Sequence, residues 1–190
     1  DGVPTRWVES IRHTLSTLSP ELSADRMVRE YVERLYLPAA VAERAVVADS
    51  YAGARELAAW KARVTAAWPR VSVPHVESGG VDAAPQLGDT LHVRAHVNLD
   101  GLTPDDVAVQ VAHGRTGSGD ELLAPRYTDL EPAQASGSGV LHQEHGSGTV
   151  QFAGTVTLDR AGSFGYNVRV VPRHPLLASL AELGLIVLAH

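Results

Sequence analysis

The stretch LHVRAHVNL, residues 91–99, alternates apolar and polar side chains along its whole length. Neighbouring side chains of a strand point to opposite faces of a sheet, so this period of two indicates a strand with one buried face. The same alternation recurs at 107–111, 150–158 and 164–170. Turn-forming pairs such as Asp100-Gly101 separate these stretches, as expected for strands joined by short connections.

The ends of the predicted sheet are less regular than its centre. A first strand around 71–76 contains Pro74, which has no amide hydrogen for a ladder and therefore marks an edge strand. A last strand at 185–188 closes the sheet. Several short strands at this spacing predict an antiparallel β-sandwich, Ig-like, over residues 70–190.

One part of this β region lacks a clear period. Residues 115–149 are rich in Gly and Ser, and we interpret them as a flexible loop region. Within it we expect a short strand near 122–127 and another near 140–142.

Residues 1–69 have a helical period instead. The apolar residues of the first predicted helix recur at spacings of four and three: Trp7, Ile11, Leu15 and Leu18. Such spacing places them on one face of a helix, which we expect to end at Ser19-Pro20 because a proline disfavours helix in the residue before it.

Two further helices are predicted before residue 70. Ser23 is a candidate N-cap, with Asp25 near the positive end of the helix dipole, and we expect this helix to end at Pro38. The third helix covers about 39–68, with a bend at Gly53 and a stop at Trp68-Pro69. The fold class is therefore α+β, with a helical segment at 1–69 and a β domain at 70–190.

Composition and charge exclude several classes of partner. The chain has 190 residues, no Cys, one Lys and a net charge of −6. Residues 1–70 hold ten basic and nine acidic side chains, and the remainder holds six and thirteen, so neither part offers the positive face that nucleic acid requires. We therefore predict no nucleic-acid partner. No run of 18 apolar residues is present, so we also predict no membrane partner.

Histidine is abundant, and two groups could in principle hold a metal ion. His92 and His96 share one strand face but lie roughly 13 Å apart along a straight strand, too far to bind one ion. His142, Glu144 and His145 are closer together, yet they lie in the Gly/Ser-rich loop. A flexible loop would bind an ion weakly, so we predict no metal site.

No arrangement of residues resembles catalytic machinery. Gly137-Ser138-Gly139 and Ser147 are not followed by the helix that a nucleophile elbow requires. Lys61 lies on an Ala-rich predicted helix, which is typical of a surface lysine. The carboxylate pairs Glu30/Glu33 and Asp105/Asp106 occupy a solvated helix face and a turn. We therefore predict no catalytic residue and no cofactor-binding residue in this chain.

Aromatic residues are few and are better explained by packing. Trp60 and Trp68 are eight residues apart, about two helical turns, and so share one face. The β region contains no Trp, and its aromatic residues after position 99 are Tyr127, Phe152, Phe164 and Tyr166. A sugar-stacking surface on the β domain is therefore disfavoured, although it stays open as an alternative.

Several stretches resemble a known family. The sequence SADRMVREYVERLY at 23–36 is similar to a segment near the end of the catalytic region of α-glucan (glycogen/maltodextrin) phosphorylases, and WVESIRHTL at 7–15 resembles the helix before it. PQLGD at 85–89, GLTPDDV at 101–107 and GYNVRVVPRHP at 165–175 resemble the β-rich C-terminal region of the bacterial branch.

The resemblance implies a longer parent enzyme, two-lobed and glycosyltransferase-like. Such an enzyme is cytoplasmic, carries pyridoxal phosphate on a lysine within a motif close to E-A-S-G-T-x-x-M-K, and cleaves terminal α-1,4-glucosidic bonds with phosphate to give glucose 1-phosphate. That motif is absent from this sequence. The chain would then be a non-catalytic C-terminal fragment, structural or interface-forming, and α-glucan and phosphate would be substrates of the parent.

The implied partner is the rest of the parent catalytic chain. Without it, bare apolar helix faces favour a homo-oligomer formed through Trp7, Tyr31, Val32 and Leu35. The alternative is that the β-sandwich is a carbohydrate-binding or protein-interaction module.

Overall fold

The computed structural model describes residues 2–81, 86–119, 121–133, 149–159 and 162–189. The chain divides into two compact units, Asp1–Arg55 and Glu56–His190. We predicted the boundary at 69/70. The two units divide at residues 55/56, before the end of the last helix. The end of that helix belongs to the second unit because Trp60 and Val64 are part of its core.

The first unit is built from helices. It contains α1 (Thr5–Leu22), α2 (Ala24–Tyr31), a π-helical turn (Val32–Tyr36) and the beginning of α3 (Leu37–Ala67). The helical geometry of α3 is interrupted at residues 48–51, where Asp49, Ser50 and Tyr51 have φ of 50°, 54° and 66°. Positive φ is disfavoured for residues with a Cβ atom and does not continue a right-handed helix.

The helix caps and stops agree only partly with the prediction. The Ser23 N-cap is confirmed, because its Oγ accepts a hydrogen bond from the amide of Arg26 at 3.2 Å. The two proline stops were wrong: Pro20 lies inside the last turn of α1, and Pro38 lies in the first turn of α3. Pro38 follows just after the π-helical turn, which runs into α3 without a break, and such a turn is a place where the hydrogen bonds of a helix depart from their regular spacing. The interruption of α3 also precedes Gly53, where we expected a bend.

The second unit begins with the end of α3 and continues as a sheet. A 3₁₀ turn at Trp68–Arg70 follows α3, and another at Pro104–Asp106 precedes the third strand. The described residues contain the strands β1 (Ser72–Gly79), β2 (Thr90–Asn98), β3 (Val107–Thr116), β4 (Leu122–Pro132), β5 (Thr149–Thr157), β6 (Phe164–Pro172) and β7 (Val187–Leu188).

The strands form one antiparallel sheet in the order β1-β2-β5-β4-β3-β6-β7. The junction between β4 and β5 consists of only two residue pairs, Glu131 with Ala153 and Pro132 with Phe152. The sheet therefore has two sections, β1-β2-β5 and β4-β3-β6-β7. The prediction of helices followed by antiparallel strands is confirmed at this level.

The alternating stretch that opened the sequence forms β2, as predicted. Leu91, Val93, Ala95 and Val97 are all buried, whereas His92 and Arg94 are exposed. Pro74 lies in the edge strand β1, where the register with β2 shifts between Ser72 and His75.

Residues 121–133, the longest described part of the region 115–149, differ most from the prediction. Leu122–Pro132 forms the full-length strand β4 within what we interpreted as a loop region with only a short strand at 122–127. Leu130 is the one buried residue of β4. The sequence of this strand therefore lacks the alternation of apolar and polar residues that marks a half-buried strand. The strand is held instead by its backbone ladder to β3. The predicted strand at 140–142 lies outside the described residues.

The end of α3 is attached to the sheet by a buried carboxylate. The Asp106 side chain is 8% exposed. Its Oδ1 accepts hydrogen bonds from Trp60 Nε1 at 2.8 Å and from Arg63 Nη2 at 2.9 Å. Its Oδ2 accepts from Arg63 Nη1, Thr103 N and Thr103 Oγ1, each at 2.8 Å. We call this group of four residues the Asp106 anchor.

These donors decide the ionisation of the carboxylate. Burial acts to raise the pKa of Asp106, but the hydrogen bonds from Arg63, Thr103 and Trp60 outweigh it and hold the pKa far below its ordinary value. The predicted pair of turn carboxylates is thus divided between two environments, because the neighbouring Asp105 side chain is 99% exposed.

Removing the anchor carboxylate should destabilise the second unit. For Asp106→Ala we expect the free energy of unfolding to fall by about 2–3 kcal/mol, because a charged acceptor is lost and buried donors are left unpaired. Urea denaturation followed by tryptophan fluorescence measures this. The matched control Asp105→Ala should change it by less than about 0.5 kcal/mol. Equal losses in the two variants would contradict a role for the anchor.

The same carboxylate predicts an acid dependence. Folding lowers the pKa of Asp106. Its contribution to the free energy of unfolding is therefore complete above the unfolded-state pKa of about 4 and is lost as the pH falls below that value. The stability difference between the wild-type chain and Asp106→Asn should therefore be constant from about pH 8 to pH 5 and shrink below about pH 4. Urea titrations across this range test it, with Asp105→Asn as control. A difference that stays constant down to about pH 3 would argue against the assignment.

Candidate interaction site

The first unit carries many exposed apolar side chains. No described residue of this unit is buried. Its large apolar residues include Trp7 (64% exposed), Leu15, Leu18, Met27, Tyr31 (47%), Val32 and Leu35 (54%). Exposed apolar surface of this kind in a soluble protein typically marks a contact with another protein surface.

Helix α2 shows how these residues come to lie together. Met27 and Tyr31 are four positions apart, so they lie on the same face, and Leu35 in the π-helical turn lines the same shallow cleft. The rings of Tyr31 and Tyr36 stack with their centroids 6.4 Å apart. We call the surface formed by Met27, Tyr31 and Leu35 the α2 apolar face.

The charged residues of α2 are paired with one another. Arg26 binds Glu30 at 2.7 Å, Arg29 binds Asp25 at 2.8 Å, and Arg34 lies 3.7 Å from Glu30. The hydrogen bond from Arg26 lowers the pKa of Glu30. The charged groups are thus satisfied within the helix, and the α2 apolar face is left to contact something else.

The single lysine lies in the second unit. Lys61 Nζ is 2.6 Å from Glu182 Oε1, and the other carboxylate oxygen accepts the amide of Ala178 at 2.8 Å. The hydrogen bonds from Lys61 and Ala178 lower the pKa of Glu182. Lys61 therefore links α3 to the C-terminal segment through an ion pair in which both side chains are about one-third exposed.

The histidines are arranged by strand register rather than by sequence spacing. His96 pairs across the ladder with His75 on β1, and their rings are 5.6 Å apart. Glu77 Oε1 lies 3.5 Å from His75 Nε2 and 3.6 Å from His96 Nε2. The sequence could not reveal this cluster, because it depends on how β1 pairs with β2. Within the described ranges, no three His, Asp or Glu residues are placed to hold a metal ion.

The remaining candidates contribute little to a site. The tryptophans Trp60 and Trp68 are buried in the core, as predicted. Ser138, Ser147, His142, Glu144 and His145, which we predicted to lie in a loop, are outside the described residues. In the part of the chain that the structure covers, no helix has the length and apolar character needed to cross a bilayer.

Comparison with known proteins gives a consistent set of relatives. A family model described as the glycogen phosphorylase C-terminal domain matches residues 68–190. Glycogen phosphorylase of Mycobacterium bovis is 45% identical over 189 residues, which is 99% of this chain and 21% of the relative. Maltodextrin phosphorylase of Thermococcus litoralis is 30% identical over 184 residues, which is 95% of this chain and 20% of the relative.

No protein of solved structure matches the chain significantly. The chain spans about a fifth of the length of the curated relatives that it matches. The matched residues 68–190 begin close to the predicted start of the β region and contain every strand of the sheet. The chain therefore belongs to the glycogen phosphorylase C-terminal domain family.

Proposed function

We propose that this chain is the C-terminal part of a longer α-glucan phosphorylase and that it braces that enzyme without contributing a catalytic residue. The carrying observation is the asymmetry of the matches, which cover 99% of this chain but 21% of a glycogen phosphorylase. The longer protein would release glucose 1-phosphate from terminal α-1,4-linked glucose with phosphate, in the cytoplasm.

The two units would have different roles in that protein. The helices of the first unit would be the last helices of a two-lobed, glycosyltransferase-like catalytic region, and the β unit would be an appended Ig-like sandwich. The bare α2 apolar face supports this division, because a surface of large apolar residues without a buried core is suited to packing against the rest of the catalytic region.

Pyridoxal phosphate would be bound elsewhere in the longer protein. A lysine that forms a Schiff base needs an enclosed site that lowers its pKa. Lys61 instead forms an ion pair with Glu182 at 2.6 Å and is partly exposed. The only lysine of this chain therefore does not fit the cofactor, and we assign no step of the reaction to it.

Activity assays on the complete protein and on this chain test the proposal. The complete protein should release glucose 1-phosphate from maltodextrin in the presence of phosphate, and the 190-residue chain alone should release none. In the complete protein, Lys61→Ala should retain both the activity and the cofactor absorbance. Release of glucose 1-phosphate by the isolated chain, or loss of the cofactor in Lys61→Ala, would overturn the proposal.

The isolated chain should self-associate through the α2 apolar face. We expect light scattering to detect oligomers at high concentration, and we expect Tyr31→Glu to weaken their association by about ten-fold or more, since a charge would be placed in an apolar contact. Arg29→Glu, on the charged side of the same helix, is the control and should have a smaller effect. A strictly monomeric wild-type chain would contradict this prediction.

A further inference from the structure

The outer face of the β1-β2-β5 section carries two histidines directly opposite each other. The buried residues of β2 alternate with the outward side chains of His92, Arg94 and His96. His96 pairs in register with His75 of β1, and the centroids of the two rings are 5.6 Å apart. Residues that pair across a ladder send their side chains to the same face of the sheet. The backbone therefore makes these two imidazoles neighbours on one surface.

Both imidazoles turn the same ring nitrogen toward one carboxylate. Glu77 follows His75 by two positions on β1 and so lies on the same face of the sheet. Its Oε1 is 3.5 Å from His75 Nε2 and 3.6 Å from His96 Nε2. These separations exceed the usual hydrogen-bond range of about 2.7–3.2 Å. The two nitrogens thus converge on one place without being hydrogen-bonded there.

The Nε2 atom of His96 has no partner of its own. Among the described residues it is shielded from solvent and makes no hydrogen bond, although the His75 side chain beside it is 62% exposed. A shielded polar atom without a partner is costly, and native structures satisfy almost all such atoms with protein groups, water or ions. With the ring hydrogen on Nδ1, this nitrogen presents a lone pair, which is the group that binds a metal ion.

The chemistry of these groups selects the kind of ion. Imidazole nitrogens bind Zn²⁺ at about 2.0–2.1 Å, whereas Mg²⁺ and Ca²⁺ prefer oxygen ligands. No three His, Asp or Glu of the described ranges are placed to hold an ion together. The protein would therefore supply two ligands and water the others.

The charged neighbours of the histidine pair are compatible with a cation. Glu77 would offset part of the charge of the ion and accept a hydrogen bond from one of its water ligands. Arg94 is the basic residue nearest to Glu77 in the ladder, and its Nη1 lies 3.9 Å from the other carboxylate oxygen, Oε2. The arginine charge is thus directed to the oxygen that faces away from the imidazoles.

We propose that His75 and His96 bind one Zn²⁺ ion and that this ion links β1 to β2. Strand β1 lies at the edge of the sheet, and its register with β2 shifts between Ser72 and His75. The ion would join the two strands where their regular pairing begins. The exposed His75 ring can turn to admit it. Spacing along the sequence does not reveal this site, because its two ligands belong to different strands, and the site is independent of the proposed function.

Calorimetric titration of the untagged 190-residue chain with ZnCl₂ tests the site after treatment with EDTA. His142→Ala and His145→Ala are present in every sample, so that the other candidate group of histidines does not contribute. We expect one Zn²⁺ per chain and no binding of Mg²⁺. His75→Ala and His96→Ala should each lower the Zn²⁺ affinity by more than about ten-fold.

The matched control is His92→Ala. His92 lies on the same strand and the same face as His96, but Gly79 is opposite it in the ladder, so its loss should leave the affinity unchanged. Glu77→Gln keeps the shape of the side chain and removes its charge, and it should lower the affinity by about ten-fold while one ion still binds.

A second measurement separates ion binding from damage to the fold. Circular dichroism shows whether each variant is folded, and Zn²⁺ should raise the unfolding temperature of the parent sample but not that of His75→Ala, because the ion binds only the paired strands. Absence of Zn²⁺ binding would overturn the proposal, as would an equal loss of affinity in His92→Ala and His75→Ala. Either result leaves the bracing role unaffected, because that role is tested by the activity of the complete protein.

Discussion

The connection between helix and sheet depends on one carboxylate. Asp106 receives the indole N–H of Trp60, both arms of the Arg63 guanidinium, and the backbone and hydroxyl of Thr103. Trp60 and Arg63 belong to α3, whereas Thr103 belongs to the loop before β3. A single anion therefore fixes both the rotation of the helix and the conformation of the loop. The Trp60 ring is buried, and its N–H finds its partner in the same carboxylate. The apolar core and the polar anchor therefore specify the same arrangement.

Strand alternation was the most reliable feature of the sequence. Central strands such as β2 bury every second residue, and the sequence shows this as an alternation of apolar and polar residues. Strand β4 could not be found in the same way, since only Leu130 is buried and the strand is specified by its pairing with β3. The proline stops at Pro20 and Pro38 failed because each proline lies where one helical segment ends or passes into another, Pro20 two residues before the end of α1 and Pro38 just after the π-helical turn. Local rules are weakest where the chain ends one element and begins another.

Surface features depended even more on the register between strands. The cluster of His75, Glu77 and His96 brings together residues that are far apart in sequence, as does the register of Ala112 with Tyr127 and Asn167. Asp105 and Asp106 illustrate the opposite case, in which two adjacent and chemically identical residues have unlike surroundings. The family resemblance located the chain within a longer protein, but the residues on its surface acquire meaning only from the pairing of the strands.

The narrow junction between β4 and β5 has a consequence for how the second unit opens. Two residue pairs join the sections β1-β2-β5 and β4-β3-β6-β7, whereas each section has long ladders of its own. Backbone hydrogen bonds within one section can therefore persist while those of the other break, even though the two share a core. Amide protons of β2 and of β3 would then report separate opening events below the threshold of global unfolding. Continuity in the strand order therefore does not by itself make the sheet one cooperative unit.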